Sequence, residues 1–102
     1  MVVAQGASRF VVGDQAVELG PRAQLSRVLE ALTTARLEEP GEWVDCPRLI
    51  GVVWQGERMR PSSAMNRLHV AIATLRKMGL RPVLQSKRGA YRLRSDVALA
   101  RA

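Results

Sequence analysis

The chain has 102 residues, 47% of them hydrophobic, and its sixteen Lys and Arg against nine Asp and Glu give a net charge of +7. This length suits one domain with a single core and leaves no room for a separate regulatory module. A single cysteine excludes an intramolecular disulfide, and one histidine leaves too few soft ligands for a structural zinc site. No stretch reaches the roughly 18 apolar residues needed to cross a bilayer, so we expect a cytoplasmic protein without a membrane partner.

The positive charge is concentrated in the second half of the chain. Residues 58–95 contain ten Lys or Arg and no Asp or Glu, whereas residues 1–57 contain five basic and eight acidic side chains. A solvated surface usually mixes both signs, so one-sided charge over a folded segment indicates a polyanionic partner. Fourteen of the sixteen cations are Arg, which suits bidentate contacts to phosphate and guanine, although a GC-rich genome would also raise the Arg content.

The first elements predicted along the chain are a β-hairpin and a helix. Two short β-prone runs, residues 10–12 and 16–19, flank a turn that begins at Gly13. A Gly-Pro pair follows, and apolar residues then recur at spacings of three and four, which predicts a first helix over residues 21–37. Residues 1–8 show no such pattern, and we expect them to form a flexible N-terminus.

Two further helices are predicted after a Pro-Gly turn. Asp45 is the expected N-cap of a short second helix, and residues 61–63 are a start signal for a third helix that runs to about Met78. The predicted buried face of this third helix comprises Ala64, Met65, Leu68, Ala71, Ile72 and Leu75. The opposite face comprises Ser63, Asn66, Val70, Ala73, Thr74 and Lys77, with Arg67, His69 and Arg76 on its flanks.

A basic β-hairpin is predicted next, with strands over residues 82–86 and 91–94. Its connection contains Lys87 and Arg88, and adjacent cations at a hairpin tip repel each other unless phosphate neutralises them. These two residues are therefore candidate phosphate contacts, and the alternative is a solvated turn. Arg92 is expected to point outward from the second strand and to extend the charge along one face.

These elements together predict an α+β fold with the order strand, strand, helix, helix, helix, strand, strand. It has a small N-terminal β-hairpin, three helices and a C-terminal β-hairpin wing, all within residues 9–95. Residues 96–102 are expected to be a tail.

Four segments of this pattern also carry a family resemblance. They read LIGVVW at residues 49–54, RPSS at 60–63, VAIATLRK at 70–77 and SKRGAYRL at 86–93. At this mutual spacing the chain resembles the winged helix-turn-helix output domain of the OmpR/PhoB type of bacterial response regulators, over about residues 9–94. It departs from the family pattern where Ala73 and Thr74 replace polar base readers, and where Ala90 replaces the glycine before the wing tyrosine.

The resemblance implies sequence-specific binding of double-stranded DNA by the DNA-binding module of a bacterial transcriptional regulator. The third helix would enter the major groove, and the basic wing would lie on the adjacent minor groove and backbone. The loop from Gln55 to Arg60 would contact RNA polymerase, although its arginines could equally hold phosphates, and a homodimer on DNA is a further expected arrangement. The candidate DNA-binding residues are Ser63, Asn66, Arg67, Val70, Thr74, Lys77, Lys87, Arg88 and Arg92.

Most of these side chains also have a plainer interpretation. Asn pairs with adenine and Arg with guanine in the major groove, yet Asn66 and Arg67 could be an ordinary polar helix face. Val70 and Ala73 could touch thymine methyl groups, or they could form an apolar patch for another protein. The alternative hypothesis is therefore a winged-helix protein-protein interaction module with weak or non-specific DNA binding.

No residue pattern in the chain indicates catalysis. There is no glycine-rich phosphate loop and no Cys-His or Ser-His-Asp frame, so we expect neither an enzyme nor a cofactor. The four aromatic residues are not interleaved with basic ones, so we expect core or core-edge anchors rather than stacking platforms. Those residues are Phe10, Trp43, Trp54 and Tyr91. Cys46 is expected to be buried and inert.

Overall fold

Seven short strands and three α-helices follow one another in the computed structural model of the chain, which describes residues 1–102. The strands are β1 (Val2–Val3), β2 (Arg9–Val12), β3 (Gln15–Glu18), β4 (Val44–Asp45), β5 (Leu84–Lys87), β6 (Ala90–Leu93) and β7 (Ala100–Arg101). The helices are α1 (Ala23–Glu38), α2 (Cys46–Val53) and α3 (Pro61–Leu75). A 3-10 turn over Gln5–Ala7 and a π-type turn over Arg76–Leu80 complete the elements. The α+β class and the three helices agree with the prediction.

The helices form where the apolar spacing places them. In α2 the Asp45 carboxylate accepts a hydrogen bond from the backbone N–H of Arg48 at 2.8 Å, as the N-cap prediction requires. Helix α3 begins with Pro61 and has no side-chain cap; proline suits this position because its missing N–H would have no partner inside the helix. The predicted inner face of α3 is buried at Leu68 and Leu75, and each such side chain contributes about 1.5–3 kcal/mol of burial free energy.

One core joins all three helices to both sheets. The buried cluster includes Phe10 from β2, Leu29 from α1, Leu49 from α2 and Leu93 from β6, and it continues into Leu80 after α3. Trp54 and Cys46 are also buried, as predicted.

The first sheet has the strand order β3-β2-β1-β7. The predicted N-terminal hairpin is present as β2 and β3, with Gly13 and Asp14 as its two-residue turn. Gly13 has a φ of +58°, which glycine adopts without the steric cost that a Cβ atom brings. The sheet also contains two strands that the sequence did not predict, β1 and β7.

The two ends of the chain differ from the expectation of a flexible N-terminus over residues 1–8 and a tail over residues 96–102. Strand β1 pairs in parallel with β7, and Val3 is fully buried. The Arg101 guanidinium donates to the Glu30 carboxylate, with Nη1 2.8 Å from Oε1, and to the carbonyl oxygen of Ala4. Each strand is two residues long and its partner is almost a chain length away, so no local period indicates the pairing.

The second sheet has the order β4-β6-β5, and it contains the hairpin formed by residues 84–93, here called the basic hairpin. Both strands lie closer to the turn than predicted, at residues 84–87 and 90–93 instead of 82–86 and 91–94. The register pairs Lys87 with Ala90. The turn is therefore Arg88-Gly89, and Lys87 ends a strand instead of lying in the turn. Strand β4 was not predicted; it places the chain before α2 along the outer side of β6.

The end of α3 is held against the N-terminal hairpin. Gly79 lies in the π-type turn with a φ of +131°, and a Cβ atom built there would lie 3.1 Å from Oε1 of Gln15. The Gln15 side chain also donates to the carbonyl oxygen of Met78 at 3.4 Å. The backbone conformation therefore favours glycine at this position, and the Gln15 side chain would have to move by a few tenths of an ångström to admit a Cβ atom.

Candidate nucleic-acid interface

The outward face of α3 follows from the burial of its inner stripe. Because side chains at spacings of three and four share one face of a helix, burying Leu68 and Leu75 turns the intervening residues to solvent. The residues exposed on α3 and the turn that follows include Ser63, Asn66, Arg67, Val70, Ala73 and Lys77, and Thr74 is half-exposed. Val70 has 57% of its surface exposed, which is high for an apolar side chain. The Thr74 hydroxyl donates to the Val70 carbonyl at 2.9 Å, so its proton is already used within the helix.

Four of the candidate residues line one groove. Asn66, Arg67, Val70 and Thr74 form one wall, and residues 21–25 at the start of α1 form the other. The groove has a volume of about 630 Å³. The structure therefore brings the predicted base-reading residues together beside the N-terminal end of another helix.

Arg67 has an acidic neighbour that sequence reasoning missed. Its Nη1 lies 3.6 Å from Oε1 of Glu57, and both side chains are about half exposed. Glu57 immediately precedes the carboxylate-free segment, so a count over that segment does not include it. An exposed pair of this kind contributes only about 0–1 kcal/mol, and Arg67 can leave it at little cost.

Arg76 connects α3 to the basic hairpin. Its guanidinium donates to the carbonyl oxygen of Leu84 at 3.4 Å, across the gap between the helix end and β5. Its positive charge also partly offsets the rise in the pKa of Tyr91, which burial and the neighbouring Cys46 produce. Arg76 is thus a structural residue, whereas Lys77 beside it is exposed and has no partner.

The tip of the basic hairpin presents two exposed cations. Lys87 closes β5 and Arg88 occupies the turn beside Gly89, whose φ is +77°. Arg88 makes no hydrogen bond or ion pair. The Nζ of Lys87 lies 4.9 Å from the centroid of the Trp43 ring, which leaves its three N–H donors available.

Arg92 was predicted to point outward into solvent, but in the structure its guanidinium is held by neighbouring groups. Its Nε donates to Oε1 of Gln85 at 2.9 Å, its Nη1 donates to the Gly41 carbonyl at 2.6 Å, and its Cζ lies 4.1 Å from the Trp43 ring centroid. The prediction assumed that one face of β6 is open to solvent. Because β6 is the middle strand of its sheet, Gln85 on β5 and the residues before β4 flank Arg92, and their contacts cover it on that face.

Arg94, which directly follows β6, is also engaged. It binds both carboxylate oxygens of Asp96, at 2.9 and 2.7 Å. These hydrogen bonds from Arg94 hold the pKa of the Asp96 carboxyl below its ordinary value. The carboxylate just beyond the basic segment thus neutralises its last cation.

Six of the ten cations in residues 58–95 are exposed and make no side-chain hydrogen bond or ion pair. They are Arg58, Arg60, Lys77, Arg81, Lys87 and Arg88. They are distributed over the loop before α3, the turn after it and the hairpin tip. No Asp or Glu from residues 58–95 offsets them.

Comparison with known protein families, with curated proteins and with solved structures found no match to this chain.

No three or more His, Cys, Asp or Glu side chains are grouped so that they could hold a metal ion. None of the helices combines the length and apolar character that crossing a bilayer requires. The one buried side-chain polar atom without a partner is Nε1 of Trp54, which lies in the core at the end of α2.

Proposed function

We propose that this chain is a sequence-specific DNA-binding module of a bacterial transcriptional regulator, of the winged helix-turn-helix kind found in OmpR/PhoB output domains. In this proposal α3 enters the major groove of duplex DNA and the basic hairpin is the wing on the adjacent minor groove and backbone. The observation that supports it best is the set of six exposed cations without a hydrogen bond or ion pair in residues 58–95, a segment that has no Asp or Glu.

The number of free cations sets the expected strength of the electrostatic contribution. Each phosphate that a protein neutralises releases condensed counterions, with a slope of about −0.9 in log K against log salt for duplex DNA. Six such contacts give a slope of about −5. Exposed cations that only keep a surface hydrated would give no such dependence.

The face of α3 supports base reading by a small number of side chains. Asn66 and Arg67 lie in the first half of the helix, the part that approaches base edges when a recognition helix docks. Asn suits adenine and Arg suits guanine, each with a discrimination of about 1–3 kcal/mol. Val70 is available for a thymine methyl group, and Thr74 contributes its methyl group because its hydroxyl proton is used within the helix.

The loop before α3 is the candidate contact for RNA polymerase in this proposal. Five of the six residues from Gln55 to Arg60 are exposed, and Arg58 and Arg60 have no partner. A cytoplasmic location and a homodimer on DNA belong to the same proposal. Neither is required for the electrostatic argument.

The test is a selection from random duplexes at two salt concentrations, followed by affinity measurement for the selected sequence and a scrambled one. The expected result is a shared sequence, with binding that falls steeply as salt rises. Equal binding of both duplexes would remove the base-reading part of the proposal. An affinity that does not change with salt concentration would contradict the whole proposal.

A protein-protein interaction module is the second candidate, and the exposed Val70 favours it. An apolar side chain on the outer face of α3, next to Ala73, would suit a partner's apolar surface as well as a thymine methyl group. Size-exclusion chromatography with a duplex at low salt separates the two. Co-elution with the duplex supports DNA binding. A chain that elutes apart from the duplex but together with an added protein partner supports the second candidate.

A further inference from the structure

Trp43 and Arg92 meet beside the hairpin tip, in a cluster that joins two of the nine candidate residues, Lys87 and Arg92, to an aromatic ring that was not a candidate. Trp43 immediately precedes β4, and the pairing of Val44 with Tyr91 places it along β6. In the register of the hairpin Gln85 lies opposite Arg92. Lys87 is two residues further along β5, on the same face as Gln85. The four side chains of Trp43, Gln85, Lys87 and Arg92 therefore share one surface.

Arg92 connects three segments through one guanidinium. It donates to Gly41 in the turn before β4 and to Gln85 on β5, and its planar group lies over the ring of Trp43. Both hydrogen bonds are short, at 2.6 and 2.9 Å, and the side chain is half-buried. This arrangement fixes the Trp43 ring relative to both strands of the hairpin.

Lys87 contacts the same ring in a different way. Its ammonium lies 4.9 Å from the ring centroid, within the range of a cation–π attraction, and it makes no hydrogen bond to protein. A cation–π contact orients the ammonium without using its N–H donors. The ring thus restricts where Lys87 reaches while leaving it able to bind an anion.

We propose that Trp43 and Arg92 are positioning residues that hold Lys87 in place to bind a DNA phosphate, and that Arg92 makes no phosphate contact of its own. The inference rests on the proposed function, since the phosphate belongs to the duplex bound there. Restricting a long side chain before binding reduces the conformational entropy lost when the phosphate orders it. Affinity should therefore depend on a ring that does not touch DNA.

The experiment is a double-mutant cycle on Trp43→Leu and Lys87→Met, measured as affinity for the selected duplex. Lys87→Met should weaken binding and reduce the magnitude of the salt slope by about 0.9. Trp43→Leu should weaken binding about five-fold when Lys87 is present, as expected for a cation–π contact with pre-organisation, and less than two-fold in the Lys87→Met background. Trp43→Phe keeps an aromatic face and should restore most of the loss.

Arg92 is tested by charge-conserving and charge-removing variants. Arg92→Lys keeps the charge but cannot make the forked set of contacts, so it should weaken binding, whereas Arg88→Lys at the free turn should not. Arg92→Met should weaken binding without changing the salt slope, and Arg88→Met should reduce the slope by about 0.9. Thermal unfolding of each variant identifies a temperature at which all are folded.

Fluorescence gives a separate readout. Trp43 emission should change when the wild type binds a duplex, because a phosphate then lies beside the ammonium that contacts the ring, and Lys87→Met should abolish that change. The buried Trp54 contributes equally to both proteins. The inference would be overturned, without affecting the proposed function, by either of two results. One is an equal loss of affinity on Trp43→Leu with Lys87 present and in the Lys87→Met background; the other is a reduced salt slope for Arg92→Met. A wild-type chain that binds no duplex at all would overturn the proposed function, and this inference with it.

Discussion

Nη1 of Arg67 lies 3.6 Å from Oε1 of Glu57, so a carboxylate pairs with one of the side chains that line the groove in which base reading is proposed. The pair is exposed, and its attraction competes directly with any anion that approaches Arg67. The pair therefore provides a direct test of the proposed interface.

We expect Glu57→Gln to increase affinity for the selected duplex by about two- to five-fold at 0.1 M salt. The change corresponds to about 0.4–1 kcal/mol, which lies within the range for an exposed ion pair, and it should shrink as salt screens the charges. Glu18→Gln is the matched control, since Glu18 forms an exposed pair with Arg9 at the same 3.6 Å distance on the N-terminal hairpin. Equal gains in both variants would mean that only net charge matters and that Arg67 lies outside the interface.

Arg88→Ala and Asn66→Ala should have different effects if the assignment of roles is right. Arg88→Ala should weaken binding to all duplexes by a similar factor and lower the salt slope by about 0.9. Asn66→Ala should leave the slope unchanged and relax the preference at one base position, by about 1–3 kcal/mol of discrimination. Affinities for a panel of single-base variants of the selected duplex measure both effects. A uniform loss for Asn66→Ala would remove its base-reading role.

The sequence was most informative where a signal is local. The inner face of α3 follows from spacings of three and four, and Leu68 and Leu75 are buried as that pattern requires. The Asp45 cap needs only the three residues after it, and its hydrogen bond to Arg48 is present. The hairpin with Gly13 at its turn is likewise a local signal.

The sequence was least informative where two distant segments meet. Strands β1, β4 and β7 have two residues each, and only their pairing partners define them. Missing β4 had a direct consequence for the site, because that strand brings Gly41 and Trp43 to Arg92. A period-two pattern predicts which side of a strand a residue faces, but it does not reveal a neighbour that covers this side.

The contact between the chain ends should contribute measurably to stability. Arg101→Met removes a two-oxygen ion pair with Glu30 and a hydrogen bond to Ala4, while keeping the length of an unbranched side chain. Since the pair is only partly buried, we expect a loss of about 1 kcal/mol in the free energy of unfolding. For a domain of this size that lowers Tm by about 4–8 °C. Calorimetry should show no such shift for Arg81→Met, whose side chain is exposed and unpaired; an equal shift would assign the effect to charge alone.

Stability should fall at alkaline pH because of the buried thiol. Burial raises the pKa of Cys46, and the carboxylate of Asp45 raises it further. A group whose pKa is higher in the folded state stabilises the fold below its unfolded pKa, about 8.5 for a thiol, and loses that contribution as pH rises through the folded value. The unfolding free energy of the wild type should therefore decline more steeply above about pH 8.5 than that of Cys46→Ala. Tyr91 is present in both proteins, but Cys46 adds to the rise in its pKa that burial produces, so the difference between the two proteins reports the thiol together with its effect on Tyr91. Denaturant titrations at a series of pH values measure the difference, and parallel curves would show that Cys46 does not ionise in the unfolding range.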